Sequence, residues 1–175
     1  MQSIHRFLMR SGWEVYSINL IPSSGELGID ELALQLHDFI KQKIKHRQQF
    51  DIIGFSMGGL VSQYYIQKIG GCKRINHFIS ISTPHNGTMM GYLSNTKGGR
   101  QMRYRSPFIQ ELRRGMNSLR QLKFTSIWTP FDLMIFPASS SKVPFGHQIK
   151  IGCVFHPWMV SHSKCLKAIH TTLIS

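Results

Sequence analysis

The chain has 175 residues, 42% hydrophobic and 17% charged, a globular composition that argues against disorder; no apolar run is long enough to span a bilayer. Its three cysteines form no C-x-x-C pair, which argues against a disulfide framework or a zinc module. The net charge of +13 gathers in Lys41 to Arg47, in Lys97 to Arg105, and at Arg113, Arg114, Arg120 and Lys123. No nucleic-acid module accompanies these clusters, so they read as solvated basic faces or as attraction to an anionic membrane surface.

In chain order, Ile4 to Met9 has helical apolar spacing and stops at Gly12. Glu14 to Ile21 has strand propensity and ends at Pro22. Ile29 to Arg47 predicts an amphipathic helix with a basic polar side. Phe50 to Phe55 predicts a buried strand and Met57 to Ile69 a helix stopped by Gly70 and Gly71. Ile75 to Ser82 is a third strand. Ser106 and Pro107 open a helix that runs to about Leu122. Phe124 to Trp128 and His147 to Phe155 are two more strands, and Ser163 to Leu173 is a closing helix. Strands alternating with helices imply one α/β domain, residues 1–175, with a mostly parallel sheet covered on both faces. The start lacks the apolar stretch and cleavage site of a signal peptide, and the free thiols suit a reducing compartment, so a cytoplasmic location is expected.

Gly54-Phe55-Ser56-Met57-Gly58 is G-x-S-x-G at a strand-to-helix junction. A serine on such a turn is lifted clear of the sheet. Gly54 and Gly58 are expected to let strand and helix approach closely. The helix start offers backbone N–H groups to an oxyanion, with the Met57 N–H as the expected first donor.

Serine needs a base, and the base an orienting acid, in the order Ser, Asp or Glu, His. Only Glu111 and Asp132 follow residue 56. Glu111 falls in the first turn of a helix, where an acid already has a structural role. Asp132 follows a strand, on a loop opened by Pro130, and is the expected acid. The candidate bases are His147, His156, His162 and His170. His162, just before the last helix, is favoured over His156, whose neighbours Pro157 and Trp158 suggest packing.

GFSMGGLVSQYY, ISISTPHNGT, TPFDLMIFP and HPWMVSHSKCL together resemble bacterial lipases and esterases of the α/β-hydrolase superfamily. The resemblance implies a serine hydrolase acting on small-molecule or lipid esters through an acyl-serine, with Ser56 as nucleophile, Asp132 as acid and His162 as base. Acyl transfer or thioester hydrolysis on the same triad, or a weakened or inactive module on anionic lipid, are the alternatives. The family needs no organic cofactor, and the acid-poor chain offers no carboxylate cluster for a metal. Thr88 to Leu122, with Phe108, Ile109, Leu112, Met116 and Leu119 beside Arg113, Arg114 and Arg120, corresponds to the cap of lipase-like relatives. The alternative is a helix packed on the body.

One departure stands out. The family's first strands, including one ending in a His-Gly-type loop, are lacking. That strand belongs between Glu14–Ile21 and Phe50–Phe55. Its loss predicts a gap in the sheet with unpaired backbone, unless the neighbours close up, and an oxyanion hole with one donor. Either the true start lies upstream of Met1 or the chain is a truncated relative; the intact later motifs favour the first.

Overall fold

The computed structural model describes residues 1–175. Four strands form one parallel sheet in sequential order: β1 (Phe50–Phe55), β2 (Ile75–Ile81), β3 (Lys123–Trp128) and β4 (His147–Lys150). The register pairs Phe55 with Ile81, Ile81 with Ile127, and Ile127 with Ile149. The carboxyl ends are therefore level, and the loops that follow them share one end of the molecule. The ladder continues into those loops: Ser56 donates its N–H to the Ile81 carbonyl, Ser82 to Ile127 and Ile151 to Trp128.

Six α-helices surround the sheet: α1 (Gln2–Arg10), α2 (Ile29–Lys43), α3 (Met57–Tyr64), α4 (Lys97–Gln101), α5 (Pro107–Arg114) and α6 (Ser163–Leu173). Their ends follow local chemistry. Glu31 of α2 accepts the Gly28 N–H at 2.8 Å. The Ser106 hydroxyl accepts the Ile109 N–H at the start of α5, with Pro107 at its first position. Apolar stripes on α2, α3 and α5 pack on one face of the sheet around Phe78 and Phe124. On the other face α1 and α6 close over Ile79, Ile81 and Ile127. Both faces are thus covered, as a parallel sheet requires.

Several expectations change. Residues expected to continue the strand after Lys150 run on as irregular chain, and the helix expected to reach Leu122 changes to 3₁₀ turns at Gly115–Gln121. The candidate cap divides. Ile109, Leu112 and Leu119 are buried in the main core, so α5 packs on the body. The part before it, with a 3₁₀ segment at Met89–Leu93 and the short α4, stays at the carboxyl end of the sheet.

The largest departure concerns Glu14 to Ile21. It is extended but pairs with no strand. No backbone N–H or C=O of Glu14 to Leu20 bonds to another protein group. Its side chains anchor it to both cores, Trp13 and Val15 against the α1/α6 core and Ile18 and Leu20 against the α2 core. β1 is an edge strand, paired only with β2. Between the two runs an apolar cleft of about 990 Å³, walled by α1 and α2, reaches from Gln48 to Ser56. The neighbours of the expected gap do not close up.

Candidate active site

Ser56 occupies the junction of β1 and α3 with φ 53° and ψ −124°. A non-glycine residue at positive φ is strained and persists only where its surroundings hold it. Here the β1 ladder fixes one side and α3 the other. Met57 opens α3, so its N–H has no partner within the helix, and the residue lines the same clefts as Ser56. A second cleft of about 270 Å³, lined in part by Ser23, Thr88, Ser94 and Met134, meets the larger one at Ser56 and Met57.

The glycines of the elbow divide their work differently from expectation. A Cβ on Gly54 would lie 2.6 Å from the Gly59 Cα, so Gly54 does permit the close approach of strand and helix. A Cβ on Gly58 would meet nothing within 4 Å. The second tight contact belongs to Gly59, whose added Cβ would overlap the Thr83 side chain. The sequence signal was there in the Gly58-Gly59 pair, but a G-x-S-x-G reading stops at the first of them.

Asp132 and His156 form a buried pair. The His156 Nδ1 lies 3.0 and 2.8 Å from the two Asp132 carboxylate oxygens, with both side chains nearly sealed from solvent. Asp132 Oδ1 also accepts the N–H groups of Met134 and Ile135 at 3.0 Å each. Those bonds hold the carboxylate independently of the imidazole. The two loops are tied a second time by the Thr129 hydroxyl, which donates to the Cys153 carbonyl at 2.6 Å. A carboxylate on Nδ1 holds the tautomer with hydrogen there and leaves Nε2 free to accept a proton. The His156 ring packs 4.8 Å, centroid to centroid, from Phe55, the residue before Ser56.

The histidine that the structure brings to Asp132 is His156, and not the favoured His162. His162 forms no hydrogen bond or ion pair with Asp132. It is the N-cap of α6, and its Nδ1 accepts the Lys164 N–H at 3.2 Å. A residue immediately before a helix is placed to cap it, and that role takes the side chain. His147 is exposed at the start of β4, and His170 packs edge-on against Phe7. The reserve acid Glu111 pairs with Lys68 on the surface at 2.6 Å. No group of His, Cys, Asp and Glu is arranged to hold a metal ion.

Beneath the site, His85 is fully buried between Gln63 Oε1 at 2.8 Å and Ser80 Oγ at 2.9 Å. Burial pushes its pKa down to about 3, so it is neutral and braces the loop after β2.

The sheet, its two helical layers and the strand-to-helix elbow define the class: this is an α/β-hydrolase. The palmitoyl protein thioesterase family model matches residues 1–131, and the chain belongs to that family. The match spans the elbow and ends one residue before Asp132. Among solved structures, the mature form of Bacillus licheniformis lipase BlEst2 is similar at a TM-score of 0.76 and 12% identity, over 99% of this chain and 84% of that one. Aspergillus fumigatus lipase B gives 0.73 at 20% identity, over 83% and 42%. A bromoperoxidase from Bacillus anthracis gives 0.69 at 14%, over 99% and 86%. No curated protein sequence matches the chain.

Proposed function

We propose that the chain cleaves acyl esters or thioesters through an acyl-serine formed on Ser56, with His156 as base and Asp132 as the acid that orients it. The observation that carries this reading is the two-oxygen grip of Asp132 on His156 Nδ1, beside the residue that precedes the elbow serine. His156 Nε2 takes the Ser56 proton as the oxygen adds to the substrate carbonyl. The carbonyl electron pair moves to oxygen, facing the Met57 N–H. Collapse expels the alcohol or thiol, which takes the proton back from His156. Water, deprotonated by His156, then attacks the acyl carbon; the intermediate collapses, the Ser56 oxygen leaves with the proton from His156, and the acid is freed.

The smaller cleft at Ser56 and Met57, lined by Pro84, Met90, Met102, Met134 and Ile135 among others, suits a substrate at the nucleophile. The family match favours a thioester among the possible substrates. Labelling with a fluorophosphonate tests the nucleophile: the wild type reacts and Ser56→Ala does not. Equal labelling of both removes Ser56 from the reaction. Parallel turnover of a nitrophenyl ester and of the matching acyl thioester then separates the two substrate classes.

A further inference from the structure

We propose that the loop rim around Ser56 docks on an anionic phospholipid membrane, seating Leu93, Leu133, Phe136, Phe155 and Trp158 among the lipids. This makes the bilayer the source of the acyl substrate and to that extent rests on the hydrolase reading; the adhesion itself does not.

The apolar side chains are unusually bare for a soluble face. Leu93 is 80% exposed, Leu133 73%, Phe136 62% and Trp158 62%, and Phe155 stacks on Trp158 at 4.8 Å. They come from three loops that the structure joins into one rim. The Thr88 hydroxyl donates to the Met134 carbonyl and accepts the Phe136 N–H, and Met89 donates its N–H to the Phe136 carbonyl. The Asp132–His156 pair ties the second loop to the third. Large exposed apolar side chains gathered in one place mark a contact surface.

Charge selects the partner. Residues 86–106 and 129–164 carry Lys97, Arg100, Arg103, Arg105, Lys142, Lys150 and Lys164, but their one carboxylate is Asp132, buried against His156. Arg103 lies over the exposed Tyr92 ring at 5.1 Å, an aromatic and a cation side by side at the edge of the rim. Lys97 is neutralised by Asp30 and Glu31, and Glu26 is the exposed carboxylate beside this edge, next to Gly25, which bonds Gly98. Arg103 is held by the Gly91 and Ser94 carbonyls and Asn95 Oδ1, while Arg100, Arg105, Lys142, Lys150 and Lys164 are exposed on the segments that carry the apolar tips. Apolar insertion flanked by cations is what holds a protein at an anionic lipid surface.

Vesicle flotation tests this. The whole chain is expected to float with vesicles of phosphatidylcholine mixed with phosphatidylglycerol, to stay behind with phosphatidylcholine alone, and to detach as salt rises. The double variant Leu93→Ser, Leu133→Ser is expected to partition about tenfold less, while its melting curve and its turnover of a soluble short-chain ester match the wild type. A wild type that does not float, or a double variant that floats as well as the wild type, overturns the proposal. Retention on duplex DNA without flotation overturns it in favour of nucleic acid. Flotation by a protein with no ester or thioester turnover leaves the docking intact and refutes only the hydrolase reading.

Discussion

Asp132 grips one nitrogen of His156 with both carboxylate oxygens, at 3.0 and 2.8 Å, across 24 residues of chain. The bond joins the loop after β3 to the loop after β4, and those loops are adjacent only because their strands pair in parallel. Ser56 stands at the end of β1, two strands away. A site assembled in this way depends on the sheet register more than on any one loop.

The pairing predicts unequal fates for the two candidate histidines. His156→Ala is expected to lower ester turnover by about 10² to 10⁴, the usual contribution of a positioned acid–base. His162→Ala removes a helix cap, which costs about 1 kcal/mol of stability and leaves turnover intact. Steady-state kinetics and urea melts on the two variants check this. Lost turnover in His162→Ala with full turnover in His156→Ala would reverse the assignment.

Where the sequence was legible, one local rule sufficed. The G-x-S-x-G elbow, the Ser106 cap and the apolar stripes of α2 and α6 each lie within a few residues, and each forms as read. The carboxylate that pairs with a histidine was legible by elimination, since so few follow residue 56. The histidine was not. Both candidates lie between β4 and α6, and what separates them is that His156 reaches Asp132 while His162 caps the helix. The extended run at Glu14–Ile21 shows the same limit. Its residues have strand propensity, but pairing is a property of neighbours, and β1 is not beside it.

Gly58 and Gly59 are expected to respond oppositely to a methyl group. Gly58→Ala places its Cβ in open space on a helix, and the lost backbone freedom in the unfolded chain raises stability by about 0.5–1 kcal/mol. Gly59→Ala drives its Cβ into Thr83 and is expected to lower stability by about 1–3 kcal/mol. Thr83→Ser removes one of the atoms in the way and should recover part of that loss. Equal melting temperatures for the two glycine variants would contradict the packing described.

His85 makes the fold sensitive to acid. Its pKa is lowered from 6.5 to about 3, so between those values the unfolded chain binds a proton that the folded chain refuses. Stability from this group is therefore complete above pH 6.5 and is lost as pH falls toward 3, by at most about 1.4 kcal/mol per pH unit. His85→Gln keeps a neutral hydrogen-bonding side chain and is expected to flatten that part of the profile. Urea unfolding at several pH values from neutral to mildly acidic compares the slopes, and identical slopes would mean that His85 titrates freely in the folded protein.

The open cleft beside β1 is expected to show in hydrogen exchange. The N–H groups of Glu14 to Leu20 have no protein acceptor, whereas those of β2 are paired on both sides. Exchange reports opening, and a group with no bond to break needs no opening. The amides of residues 14–20 should therefore exchange far faster than those of residues 75–81, although both runs are extended. In β1 protection should alternate, slow where the N–H meets β2 and fast where it faces the cleft. The same unpaired groups make β1 a template for another chain, so slow association at high concentration should be accompanied by new protection in residues 14–20 and 50–55. Uniform protection across both runs in the dilute protein would mean that they pair directly and that the cleft between them is closed.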